Sequence, residues 1–153
     1  MCSSDLDVDT LSGLGSALLQ GNQPAEALVV ADQIIQMAPE NAGAHSLACR
    51  ALGQLAFPVS REPLLAELRR WVLVAPTDSA AWKQLAELLL RIGNPADHAE
   101  ALRAAMRAVQ CTQRKQASGL ELLATVHAAC GESLAAAAVR DELASLRADS
   151  SGR

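Results

Sequence analysis

Tyrosine is absent from the 153 residues, phenylalanine occurs once and tryptophan twice. Aromatic and β-branched residues suit a pleated, half-buried surface, so their scarcity excludes a sandwich or barrel of strands. No apolar run reaches the roughly 18 residues that a membrane-spanning helix needs. Basic residues are not blocked together: 13 Lys and Arg are interspersed with 17 Asp and Glu, for a net charge of −4. A nucleic-acid surface needs clustered positive charge, so nucleic acid is not an expected partner. The four cysteines, Cys2, Cys49, Cys111 and Cys130, show no C-x-x-C spacing and are far apart. That pattern excludes the disulfide framework of a small secreted domain and reads as free thiols. A Gly-rich phosphate loop, H-E-x-x-H and G-x-S-x-G are all missing, and with them the common signatures of nucleotide, zinc-peptidase and serine-hydrolase chemistry. The acidic, polar stretch before Thr10 lacks the basic and apolar regions of a signal peptide, so the expected compartment is the cytoplasm.

What is present is alanine and leucine. Half of the residues are apolar, enough to collapse around one core at this length. Ala and Leu are the strongest helix formers, and an Ala-rich interior lets helix backbones approach closely. Punctuation recurs along the chain at Gly21-Asn22-Gln23-Pro24, Ala38-Pro39-Glu40-Asn41, Phe57-Pro58-Val59-Ser60, Ala75-Pro76-Thr77-Asp78, Gly93-Asn94-Pro95 and Gly131-Glu132-Ser133. The segments between are helical in period: Trp82, Leu85, Ala86 and Leu89 share one face. Asn22, Ser60, Thr77 or Asp78, and Asn94 offer cap side chains, and Pro24 and Pro95 stand where a first helical turn tolerates proline.

Aligned, the segments form a two-helix unit used four times. The first helices carry Leu11/Leu14/Gly15/Leu18, His45/Ala48/Cys49/Leu52, Trp82/Leu85/Ala86/Leu89 and Leu120/Leu123/Ala124/His127, whose starts are 34, 37 and 38 residues apart. The second helices carry Ala27, Leu64, Ala101 and Ala136 at matching places. Extra residues in the middle units fall in the connections around Phe57–Pro63 and Ile92–Asp97, where insertions are tolerated.

Trp82-x2-Leu85-Ala86-x2-Leu89, and Leu11-x2-Leu14-Gly15-x2-Leu18 followed by Ala27 and Pro39, resemble the W-x2-L-G-x2-Y…A…P pattern of tetratricopeptide repeats. The likeness is good in the first and third units, weaker in the second, and weakest in the fourth. It implies an all-α, right-handed superhelical array of antiparallel helix pairs. The expected domain covers 8–148, with units at about 8–41, 42–78, 79–116 and 117–148. Residues 1–7 are read as a disordered or non-native lead and 149–153 as a disordered tail.

Such arrays bind protein, so a protein or extended peptide is the expected partner, held in a concave groove lined by the first helices. The groove faces are Ser12, Ser16 and Gln20, then Ser46, Arg50 and Gln54. They continue with Lys83, Gln84, Glu87 and Arg91, and end with Glu121 and Thr125. Arg50, Lys83 and Arg91 form the basic middle, suited to acidic side chains or a carboxylate. The carboxylate clamp of tetratricopeptide co-chaperones is not matched, because its places here hold Ser12, Ser16, Leu47, Ala80 and Gln84. No catalytic residue, cofactor or metal is expected. His127-x2-Cys130 with Cys111 offers too few ligands for zinc, while His45 and His127 read as packing residues and His98 as part of a solvated helix start. Trp71, behind Leu64 and Leu68, and Trp82 read as core.

The leading function is thus a non-catalytic interaction module or assembly scaffold, with a bacterial setting expected by analogy. The alternatives are an arm of a larger enzyme such as a transferase, and a self-assembling repeat protein. In the last, homo-oligomers form through uncapped ends, with Leu134, Val139, Leu143 and Leu146 as the sticky face.

Overall fold

The computed structural model describes residues 3–55 and 60–152, with side chains from Asp7 onward. Among these residues there are eight α-helices: α1 (Ser3–Gln20), α2 (Pro24–Met37), α3 (Ala42–Gln54), α4 (Arg61–Val74), α5 (Ser79–Ile92), α6 (His98–Cys111), α7 (Ala117–Ala129) and α8 (Ser133–Ser151). A single 3₁₀ turn, Pro95–Asp97, leads into α6, and no strand occurs among the described residues. The protein is all-α, as its composition implies. Cys2 and the Phe57-Pro58-Val59 part of one predicted break lie outside the described residues.

Helix ends follow local chemistry. Asn41 Oδ1 accepts from the Ala44 amide at 3.0 Å and Asp78 Oδ1 from the Ala80 amide at 3.0 Å, so both are N-caps. Asn94 caps the 3₁₀ turn in the same way. Asn22 and Ser60 differ from expectation. Asn22 sits at φ 59°, the left-handed residue that ends α1, a place Asn tolerates better than most side chains. Ser60 makes no cap bond, its hydroxyl turning to the Leu55 carbonyl. α1 begins at Ser3, inside the stretch read as a lead, where acidic composition suits a helix N-terminus. α8 runs past residue 148 because Ser150 and Ser151 bond back to the carbonyls of Leu146 and Arg147.

The helices form four consecutive hairpins grouped in two compact units, one ending at Ala75 and the other beginning at Pro76. In the first unit α1 pairs with α2 and α3 with α4, while α3 also packs on α2 and α1. Its core is built from Leu19, Ala27, Val30, Ala31, Ile34 and Leu47 with the small residues Ala44, Ala48 and Ala51. Ala27, Val30, Ala31 and Ile34 recur at helical spacing, which is why α2 buries one stripe and leaves the rest to solvent. The second unit repeats the plan: α5 with α6, α7 with α8, α7 against both α6 and α5. Leu85, Leu89, Val109, Leu120 and Val126 are buried there among Ala86, Ala101, Ala105 and Ala124.

Two packing expectations need correction. Val139 and Leu143 are buried, and Leu146 is half-buried, because α8 uses that face against α7. Leu134 alone of the proposed sticky face is open, at 87% exposure. Trp82 is half-buried rather than core, its indole N–H donating to the Pro76 carbonyl at 2.8 Å. Trp71 is buried as expected, with an indole N–H that meets no acceptor among the described residues.

Candidate partner-binding surfaces

The first unit brings α1 and α3 into close register through a glycine. A Cβ on Gly15 would lie 2.3 Å from Leu47 Cδ2, so glycine lets α1 approach α3 without displacing Leu47. Beside that contact is a cleft of about 280 Å³ lined by Ser12, Ser16, Gly43, Ser46, Leu47 and Arg50. Ser12 and Ser16 are one turn apart on α1, and Ser46 and Arg50 one turn apart on α3, so helical spacing aims all four into the same space. Arg50 is the single cation of the lining, and no carboxylate lines it. Its guanidinium is exposed and enters no ion pair among the described residues. Three hydroxyls and an unpaired guanidinium can receive an oxyanion with charge-assisted hydrogen bonds. Gln54 is exposed at the end of α3 and does not line the cleft.

In the second unit α5 and α7 pack side by side, as α1 and α3 do in the first. Lys83 and Gln84 are half-buried on α5, while Glu87 and Arg91 are exposed. Lys83 Nζ lies 3.9 Å from Glu87, and Arg91 is also engaged in an interaction. On α7 the exposed Glu121 pairs with Arg147 of α8, and Thr125 Oγ1 donates to the Glu121 carbonyl at 2.8 Å. Much of the charge placed here by sequence is therefore satisfied within its own hairpins.

His45 and Trp82 occupy matching places, each six residues after its turn proline. His45 Nε2 lies 2.8 Å from the Pro39 carbonyl, the same distance at which Trp82 Nε1 meets that of Pro76. A planar ring with an N–H thus seats each first helix on the preceding turn. The sequence signal was the shared offset from proline, which a reading of His45 as mere packing overlooks. His45 Nδ1 also contacts the buried carboxylate of Glu67, a residue no motif singled out.

The remaining histidines and thiols do not assemble into a centre. His127 Nδ1 is 2.6 Å from Glu132, the Cys130 thiol points to the His98 carbonyl, and the Cys111 thiol to that of Pro76. Among the described residues no three metal-capable side chains converge. Burial, and secondarily the Glu67 charge, push the Cys49 thiol up to about 12. It is a packed sulfur rather than a nucleophile.

The chain is similar in fold to several solved structures. A crystal structure of MamA superposes with a TM-score of 0.82 at 14% identity, covering 95% of this chain and 81% of that one. MamA 41-end from Desulfovibrio magneticus RS-1 gives 0.76 at 18% identity, covering 93% and 76%. PilF of Pseudomonas aeruginosa gives 0.73 at 17%, covering 94% of this chain and 62% of that one. The fold is that of tetratricopeptide-like helical arrays. At such low identity the likeness is one of fold. No family model matches the chain, and no curated protein matches it in sequence. Among the described residues no helix is long and apolar enough to cross a membrane.

Proposed function

We propose that the chain is a tetratricopeptide-repeat interaction module, without catalytic activity of its own, that takes an extended acidic peptide on the faces of its first helices. The observation that carries this reading is the cleft between α1 and α3. Among the described residues, a guanidinium without an ion-pair partner stands there with three hydroxyls and no carboxylate. Lys83, by contrast, is paired along its own helix with Glu87. Arg50, Ser12, Ser16 and Ser46 form the anchor. In the second unit Lys83, Gln84, Glu87, Arg91, Glu121 and Thr125 stand on the corresponding first-helix faces as a recognition surface of their own, and Gln54 lies at the margin of the first unit's surface. The free thiols at Cys49, Cys111 and Cys130 support a reducing compartment, the cytoplasm.

The test is titration of the full chain with a hexaglutamate peptide, followed by amide chemical shifts. Saturable shifts at Ser12, Ser16, Ser46 and Arg50 are expected, absent with hexalysine and abolished by Arg50→Glu. Lys83→Glu with Arg91→Glu, both in the second unit, leaves the shifts of the α1–α3 cleft in place. Affinity capture from the source cell then identifies the natural partner. Hexaglutamate shifts that survive Arg50→Glu, or that fall outside α1 and α3, would sink the proposal.

A further inference from the structure

His45 and Glu67 are the buried ionisable pair of the first unit, 3% and 5% exposed. His45 Nε2 faces the Pro39 carbonyl oxygen at 2.8 Å, and Nδ1 contacts Glu67 Oε1. Glu67 Oε2 accepts from Arg70 Nη1 at 3.1 Å. A carbonyl oxygen can only accept, so Nε2 carries a hydrogen. The next repeat supports this independently, because the indole N–H of Trp82, which can only donate, makes the equivalent bond to Pro76. With Nε2 fixed as a donor, a neutral His45 presents a bare lone pair at Nδ1. That lone pair would face a carboxylate oxygen, which also only accepts. Two buried acceptors pressed together without a hydrogen would each go unsatisfied, at a cost of about 1–3 kcal/mol or more apiece. The contact therefore requires one proton more than a neutral imidazole beside a carboxylate.

We propose that the His45–Glu67 contact is a proton-dependent joint, which keeps one shared proton in the folded chain and fastens the Pro39 turn, α3 and α4 together only while that proton is present. The three parts are the turn between the first two hairpins and both helices of the second. The charged and titratable groups around the joint are Asp32 from α2, Cys49 from α3, and Glu67 and Arg70 from α4. Burial first, and the nearby Glu67 carboxylate second, raise both Asp32 and Cys49. Arg70 steadies the carboxylate from its far oxygen and does not reach Nδ1. Ser46 and Arg50 ride on the helix that His45 anchors, so the joint also sets the position of one wall of the α1–α3 cleft.

An unfolded histidine releases its proton near pH 6.5, and unfolded thiols begin to titrate toward about pH 8.5. Between those limits the closed joint holds one proton that the opened chain does not. The state with more bound protons loses ground as pH rises, so stability falls with pH, by about tenfold in the opening equilibrium per pH unit. Glu67→Gln removes the requirement, because a glutamine N–H can donate to the Nδ1 lone pair of a neutral ring. The experiment is hydrogen exchange of α3 and α4 amides in the full chain from about pH 6.5 to 8, corrected for intrinsic exchange, in wild type and Glu67→Gln. His98 and His127 are present in both, so the difference between the two proteins isolates the joint. The opening constant in wild type should rise about tenfold per pH unit more steeply than in the variant. Parallel slopes overturn the proposal. Should the variant fail to fold, nitrogen and carboxyl NMR of wild type at pH 7.5 decides the matter. A hydrogen on Nε2 together with one on either Nδ1 or the Glu67 carboxyl upholds the joint, and a ring with a single hydrogen beside an ionised carboxylate refutes it.

Discussion

Gly15→Ala tests whether the approach of α1 to α3 is as tight as it looks. The added carbon would meet Leu47 Cδ2 at 2.3 Å and Cδ1 and Cγ at 3.3 Å, against an ordinary contact of about 3.5–4.0 Å. More than an ångström must be recovered. Leu47 is buried at 5% exposure, and its free side is the cleft it shares with Ser12, Ser16 and Arg50. Relief comes either from rotating Leu47 into that cleft or from parting the helices. Overpacking of this kind costs about 1–3 kcal/mol, whereas replacing glycine inside a helix by alanine returns about 1 kcal/mol. Gly13, on the same helix, has nothing within 4 Å of its would-be Cβ and experiences the second effect alone. Gly15→Ala should therefore be about 1–3 kcal/mol less stable than Gly13→Ala in urea unfolding. Removing the obstacle should restore tolerance, so the cost of Gly15→Ala largely disappears in a Leu47→Ala background. If Gly15→Ala stabilises as much as Gly13→Ala does, the close approach does not exist and the cleft beside it is misplaced.

Other consequences are open to equally direct checks. Gln113 and Arg114 both have positive φ, 52° and 59°, in the turn before α7. Gln113→Gly should relieve left-handed strain and raise stability by up to about 1 kcal/mol, read as a higher melting temperature. With its thiol at about 12, Cys49 is almost entirely protonated at pH 8, so peptide mapping after brief maleimide exposure should find Cys111 and Cys130 labelled and Cys49 nearly untouched. The Arg114 guanidinium, 2.6 Å from Glu142, lowers that carboxyl below its usual range. A depressed carboxylate stabilises above the unfolded value and loses that contribution as pH falls through the folded one. Glu142→Gln should therefore cost at most about 1 kcal/mol at neutral pH, since both groups are well exposed. The difference from wild type should vanish in acid and shrink in high salt, and a difference that persisted at pH 2 would refute the ion pair.

The repeat was legible in the residues because it depends on short-range rules. Alanine and leucine at helical spacing set the helices, and prolines, glycines and asparagines set the breaks. The small residues at Gly15, Cys49, Ala86 and Ala124 marked where helices meet, and all four are buried. Cap geometry was only partly readable, since Asn22 and Ser60 have the right chemistry for a cap and use it otherwise. The resemblance to tetratricopeptide repeats likewise implied that Ser12, Ser16, Ser46 and Arg50 stand on adjoining first-helix faces.

Tertiary structure decided which of those faces close into a cleft and which charges remain unspent. Lys83 and Glu121 look as available as Arg50 in a sequence, yet each has found a partner while Arg50 has no ion pair among the described residues. It also decided the role of Glu67, 22 residues from His45 and outside any motif. Helical period follows from neighbours three and four residues apart, which a sequence displays. The pairing of a buried carboxylate with a distant imidazole depends on how two helices pack, and no local pattern encodes it.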